Sequence, residues 1–250
     1  MRILACIPAR YESTRFPGKP LALIAGRPMI QHVYHCARSC PEITEVYVAT
    51  DDERISKCVR DFGGKAIITK EDHPSGTDRI AEAVEALDLN NDDLVINIQG
   101  DQPLFSPSLI SHLIEPLLED PQLPMSTLQY RITEQGEVAD PNFVKMVTDK
   151  AGFALYFSRS PIPFFRDSSS GKIYYKHLGF YAYRRAFLRV FAGLPVSHLE
   201  SSEKLEQLRA LENGFRIKVA DSLYDSIEID TPKDIKTVEK MMIGTGADKG

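Results

Sequence analysis

A chain of 250 residues is long enough to bury the core of one large domain, or of one domain with a modest appendage. Its composition, 43% hydrophobic and 26% charged with a formal net charge of −5, is that of an ordinary globular protein and argues against general nucleic-acid binding. No apolar run approaches the ~18 residues of a membrane span, and Met1-Arg2 leads into a strand without a leader-type apolar region, so a cytoplasmic protein is expected.

The first predicted strand, Ile3 to Ile7, empties into Pro8-Ala9-Arg10-Tyr11-Glu12-Ser13-Thr14-Arg15-Phe16-Pro17-Gly18-Lys19-Pro20-Leu21. Arg10, Arg15 and Lys19, with the bare backbone of Gly18, concentrate cations and N–H groups where a polyanion can be held, and phosphate is the natural guest. The loop is not a Walker loop, because Ser13 stands where glycine is needed and Pro20 follows Lys19. No Gly-x-Gly-x-x-Gly follows the strand, so a Rossmann dinucleotide site has no support. A solvated turn would explain any one of these cations; three together after a buried strand indicate binding.

Helices are predicted near Pro28 to Cys40, Glu53 to Phe62 and Thr77 to Leu87, alternating with strands at Val46 to Thr50, Ala66 to Ile68 and Leu94 to Ile98. That alternation predicts an α/β fold, a mostly parallel mixed sheet flanked by helices, with ligands at the carboxyl ends of its strands. Polar residues collect there: Asp51-Asp52 after one strand, Gln99-Gly100-Asp101-Gln102-Pro103 after another. From Met125 the pattern turns to strands at Met125 to Tyr130, Val144 to Thr148, Ala154 to Ser158 and Lys172 to Tyr183, with a long loop from Ser160 to Lys172. We read roughly 125–190 as a smaller β-rich insertion, a dimer-forming element. Helices near Ser202 to Asn213 and Thr231 to Met242 bracket a strand at Arg216 to Ala220. Residues 1–243 are expected to form a single domain, and 244–250, with no apolar residue larger than alanine, a disordered tail.

Cys6, Cys36, Cys40 and Cys58 lack metal-site spacing, and Cys6 reads as a buried reduced thiol. The six histidines form no metalloprotease-type pair with glutamate, so transition-metal binding is not expected. Asp101, at a strand end, is placed to supply one carboxylate to a hard cation such as Mg²⁺, or to form a simple turn before Pro103. Asp230 precedes Thr231-Pro232, a helix-capping arrangement, and Thr77 is a plausible cap for the helix after Ser75-Gly76. Leu205, Leu208 and Leu211 form an inward stripe flanked by Glu206 and Gln207.

The Pro-Ala-Arg, Ser-x-Arg and Pro-Gly-Lys-Pro-Leu elements between Pro8 and Leu21 resemble the signature of the CMP-KDO synthetases, the cytidylyltransferases that activate 3-deoxy-manno-octulosonate (KDO). Ser-Gly-Thr-Asp-Arg at 75–79, Gln-Gly-Asp at 99–101, Ser-Arg-Ser-Pro-Ile-Pro at 158–163, His177 to Arg184, Leu-Glu-Gln-Leu-Arg at 205–209 and Asp-Thr-Pro at 230–232 extend the likeness across nearly the whole chain. The resemblance implies a nucleotidyltransferase that joins CTP and KDO to give CMP-KDO and pyrophosphate for lipopolysaccharide synthesis. It implies that Ala9, Arg10, Arg15 and Lys19 embrace the triphosphate, that Asp101 and Asp230 hold Mg²⁺, and that Ser75, Gly76, Thr77, Arg79 and Gln99 lie against cytosine and ribose. For the acceptor it implies Arg159 on the sugar carboxylate, His177 and Tyr181 facing the sugar, and Glu206 and Gln207 on its hydroxyls. A homodimer is implied as well. Lys233 departs from the family, where glutamate is usual. A CMP-sialate-type synthetase and a non-catalytic nucleotide-binding relative remain as alternatives.

Overall fold

Strand β1 (Ile3–Ala9) is apolar on both faces and almost wholly buried, as a strand flanked by neighbours on both sides and helices above and below must be. The computed structural model describes residues 1–12, 16–167 and 171–244. Arg15 therefore lies outside the described residues, as does the tail from 245 onward. The chain divides into two compact units, one of Met1–Ser108 with Ser226–Gly250, the other of Leu109–Asp225.

In the first unit a single 3-10 turn (Lys19–Leu21) and the short strands β2 (Leu23–Ile24) and β3 (Arg27–Pro28) precede α1 (Met29–Arg38). Then follow β4 (Glu45–Thr50), α2 (Glu53–Asp61), β5 (Ala66–Ile68), α3 (Gly76–Glu85) and β6 (Leu94–Asn97). The order β6-β1-β4-β5 is parallel throughout, with Cys6 opposite Asn97, Ala9 opposite Thr50 and Thr50 opposite Ile68. All four carboxyl ends therefore open on one edge, the edge where the sequence collects its polar residues.

The second unit holds α4 (Ser108–Glu119), β7 (Met125–Arg131), α5 (Gln135–Ala139), β8 (Lys145–Thr148), β9 (Ala154–Ser158), β10 (Tyr175–Arg184), α6 (Arg185–Ala192), α7 (His198–Glu203), α8 (Leu208–Glu212) and β11 (Lys218–Asp221). Its strands run β11-β7-β10-β8-β9, parallel at the first junction and antiparallel at the others. Helix α9 (Pro232–Gly244) returns to the first unit. There Ile24, Met29, Ile229, Val238 and Met242 form a buried cluster, with Phe16, Leu104, Ile227 and Ile235 packed against it. This cluster fastens the end of the chain beside its beginning. Among the described residues no helix is long and apolar enough to cross a membrane.

The strands fall where the hydrophobic patterning places them, to within a few residues. The second unit, at 109–225, contains the 125–190 segment together with α4 and α6 to α8. The single helix expected over 202–213 is two helices. Lys204, at φ 56°, takes the left-handed conformation that ends α7, and Leu205, Glu206 and Gln207 lie in the turn before α8. Cys6 is buried, as expected; desolvation pushes Cys6 and Cys40 up to about 12 and the half-buried Cys36 up to about 11, which disfavours their thiolate forms.

Candidate active site

The phosphate-loop candidate is closed at its neck by the Gly18 N–H, which donates to the Tyr11 carbonyl at 2.8 Å. Gly18 has φ +70°, and a Cβ there would meet the Tyr11 ring at 3.1 Å, so both conformation and space require glycine. The Arg54 guanidinium stacks 3.3 Å over that ring and also grips Asp52 at the start of α2. Arg10 is exposed immediately after β1, and Ala9 is buried within it. Lys19 opens the 3-10 turn that follows Gly18.

Lys19 brings the expected carboxylates together. Its Nζ donates to Asp101 Oδ2 at 2.6 Å and to the Ile229 carbonyl at 3.0 Å, and lies 3.8 Å from Asp230 Oδ1. All three side chains keep 16–26% exposure, so the oxygens converge on one position of positive charge that remains open to solvent. Two hard carboxylate ligands, with room for water and phosphate oxygens, form a donor set that fits Mg²⁺. Asp234, in the first turn of α9, reaches back, its Oδ2 accepting from the N–H groups of Asp230 and Thr231 and from the Thr231 hydroxyl, with Pro232 at the first helical position.

Pro8 is where three segments meet. A Cβ on Gly100 would stand 2.9 Å from the Pro8 carbonyl oxygen, and one on Gly76 would stand 3.2 Å from the Pro8 ring. Glycine at both positions lets the ends of β1 and β6 close against the start of α3. The cap of α3 is Ser75, whose Oγ accepts from the Asp78 N–H, and not Thr77 as expected. Thr77 is fully buried in the first turn, accepting from Asn97 Nδ2, while Asn97 Oδ1 accepts from Gln99 Nε2. Arg79 is 3% exposed and bonds Asp51 Oδ2, Thr69 Oγ1 and the Lys70 carbonyl. Its guanidinium ties α3 to the segments after β4 and β5.

The acceptor candidates all lie in the second unit. His177 and Tyr181 face each other with ring centroids 5.1 Å apart, across a bulge in β10 where Gly179 has φ +75°. Thr127 Oγ1 donates to the Phe180 carbonyl at 2.7 Å and so accepts from His177 Nε2 at 2.8 Å. That places the proton on Nε2 and leaves Nδ1 an acceptor. Burial holds the ring down at about 3, so His177 is neutral near pH 7 and a poor proton acceptor. Arg159 donates from Nε to the Glu203 carbonyl, from Nη1 to Pro141 and from Nη2 to Lys204, at 2.7, 2.8 and 3.4 Å. Of five N–H groups, one on each terminal nitrogen has no partner among the described residues.

The turn carrying Glu206 and Gln207 is held by a buried pair, Arg209 on α8 bonding both oxygens of Glu200 on α7 at 2.7 and 2.9 Å. Gln207 is 3% exposed and its Nε2 has no partner among the described residues. Sequence reading missed Glu203, whose carboxylate accepts from the Ser158 hydroxyl and the Arg159 N–H. It also missed Gln102 and Glu228, which bond each other across 126 positions, Nε2 to Oε1, at 3.0 Å. A signal for Glu228 was present: in Ser226-Ile227-Glu228-Ile229-Asp230 the apolar residues alternate, which sets Glu228 and Asp230 on one side. Glu228 has an exposed face, yet desolvation of the carboxyl, then the charges of Asp101 and Asp230, push it up to about 7.

A parallel sheet with a cationic loop and a carboxylate at its strand ends, and a second carboxylate brought to them by the segment before α9, is the apparatus of a nucleotidyltransferase. The cytidylyltransferase family profile matches residues 4–220, and the chain belongs to that family. A 3-deoxy-manno-octulosonate cytidylyltransferase of Syntrophus aciditrophicus is 54% identical over 243 residues, 97% of this chain and 98% of the relative. An 8-amino-3,8-dideoxy-manno-octulosonate cytidylyltransferase of Shewanella sp. (strain ANA-3) is 55% identical over 97% of this chain and 99% of its own length. A solved CMP:2-keto-3-deoxy-manno-octonic acid synthetase complexed with CTP superposes with a TM-score of 0.91 at 43% identity, covering 98% of this chain and 100% of that one. A 4-diphosphocytidyl-2C-methyl-D-erythritol synthase from Anaerococcus prevotii, 18% identical with a TM-score of 0.63 over 97% of this chain and 98% of that one, shares the fold.

Proposed function

We propose that this cytidylyltransferase transfers CMP from CTP to the anomeric hydroxyl of KDO, releasing pyrophosphate. The observation that carries the reading is the convergence of Asp101, Asp230 and Lys19 at the strand ends, beside the loop that begins at Pro8. The hydroxyl oxygen attacks the α-phosphorus in line and releases its proton to water, the bond from that phosphorus to the bridging oxygen breaks, and pyrophosphate leaves with the electron pair. Mg²⁺, held by Asp101 and Asp230, supplies charge neutralisation of the phosphates when bound. Lys19, with Arg10 and Arg15, attracts the departing pyrophosphate. Ser75, Gly76, Thr77 and Gln99 recognise the base and ribose, with Arg79 bracing α3 behind them. His177, neutral and pinned by Thr127, accepts a hydrogen bond from the acceptor through Nδ1, while Arg159, Tyr181, Glu206 and Gln207 complete the acceptor pocket. The working unit is proposed as a homodimer, which sedimentation equilibrium tests.

Near-equal identity to the KDO and 8-amino relatives supports a second reading, in which the acceptor carries an amino group at C8. Pyrophosphate release measured with CTP against UTP, and with KDO, 8-amino-KDO and sialic acid as acceptors, decides. Turnover with CTP and KDO well above the other pairs is expected, and preference for the amino sugar transfers the assignment to the second reading. No release with any acceptor overturns both.

A further inference from the structure

We propose that Glu228 is a positioning residue: its hydrogen bond to Gln102 holds the two segments that carry Asp101 and Asp230 in register, so that both carboxylates face one cation. The inference rests on the reading that these aspartates share Mg²⁺.

The two segments meet as a short antiparallel pair, with Ile229 N–H donating to the Asp101 carbonyl at 2.9 Å and Leu104 bridging to Ile227. Between those contacts stands Pro103, which has no N–H to give, so the backbone ladder is interrupted where it must resist strain. The strain is electrostatic, because one ammonium, Lys19 Nζ at 2.6 Å from Asp101 and 3.8 Å from Asp230, offsets only part of the repulsion between two carboxylates. Gln102, fully buried, spans the gap with its 3.0 Å bond to Glu228. Behind the pair, Ile229 is fully buried and Ile227 packs against the same apolar cluster, which orients Glu228 and Asp230 to the opposite side. Among the described residues no three histidine, cysteine or acidic side chains come together as a metal-ligand cluster, so Glu228 acts through Gln102 and not as a third ligand. Mg²⁺ requires near-octahedral oxygens at about 2.1 Å, so a slip of even ~0.5 Å between the segments degrades the site.

Binding of Mn²⁺ alone, followed by loss of the free-ion electron paramagnetic resonance signal, tests the tie without depending on turnover. Glu228→Ala is expected to weaken Mn²⁺ binding roughly 10-fold and to raise the Mg²⁺ needed for half-maximal pyrophosphate release in parallel, with an unchanged melting temperature. Glu228→Gln, whose amide oxygen still accepts from Gln102, is expected to restore both. Gln102→Leu is expected to weaken binding as Glu228→Ala does, and the double variant no further. Wild-type Mn²⁺ binding by Glu228→Ala overturns the proposal, as does a Glu228→Gln variant no better than Glu228→Ala, because charge and not the hydrogen bond would then matter. Asp101→Asn separates the layers: full Mn²⁺ binding by that variant sinks the metal reading itself, whereas its loss beside an unaffected Glu228→Ala sinks only the tie.

Discussion

Lys19, Asp51 and Asp101 each have a partner that explains their place, and the partners separate chemistry from scaffolding. Asp101 is met by Lys19, and its replacement by asparagine removes charge but little volume. Asp101→Asn is therefore expected to lower kcat on the order of a hundredfold or more, since a lost electrostatic contact of this kind costs about 3 kcal/mol in the transition state. An unchanged circular-dichroism spectrum beside near-normal turnover would remove the metal assignment. His177 makes a prediction about pH. Its folded-state value lies well below the usual 6.5, so between those values the unfolded chain binds a proton that the folded one refuses. The stability of its neutral form is complete above about 6.5 and is lost as pH falls towards 3. Chemical denaturation at several pH values should show a shallower acid-side loss for His177→Gln than for the parent, and equal slopes would contradict the burial argument.

Elements carry what single residues cannot. The Glu200–Arg209 pair joins α7 to α8, and Arg209 also lies 4.9 Å over the Phe191 ring. Removing one partner of a buried pair leaves the other charge uncompensated at a cost of about 3–5 kcal/mol. Arg209→Ala is thus expected to lower the urea midpoint sharply and, in the protein that remains folded, to raise the acceptor KM far more than the CTP KM, because Glu206 and Gln207 lie in the turn that the pair braces. Equal rises in both KM values would detach that turn from acceptor binding. Leucine spacing alone could not reveal this turn. Leu205, Leu208 and Leu211 suit one continuous helix, and the break at Lys204 comes from contacts outside the stripe. Glu203 is held from β9 by Ser158 and Arg159, and Glu200 by Arg209.

At the scale of the molecule, 210 positions separate Lys19 from the Ile229 carbonyl that it binds. The apolar cluster of Ile24, Met29, Ile229, Val238 and Met242 brings those ends together, a contact that local patterning does not announce. Lys19 already sets one positive charge between the two carboxylates. Chelating Mg²⁺ is therefore expected to abolish pyrophosphate release while leaving the melting temperature within about 1 °C of the untreated protein, a shift worth only a few tenths of a kcal/mol. A large fall in melting temperature would instead assign the metal a structural role.

The amino-acid sequence by itself determined the α/β class, the strand positions, the basic loop after β1 and the candidate carboxylates, because hydrophobic period and turn chemistry are local properties of a chain. It also carried the family likeness, since loop residues recur in order whatever the packing around them. Tertiary structure alone decided that Arg79 braces α3 and that Asp234 reaches back to the N–H groups of Asp230 and Thr231. It likewise decided that Arg159 spends three donors on carbonyls, that His177 is held neutral and that Glu228 faces Gln102. Those outcomes depend on which distant groups arrive within hydrogen-bond reach and how much water they exclude, and neither quantity is written in the neighbouring residues.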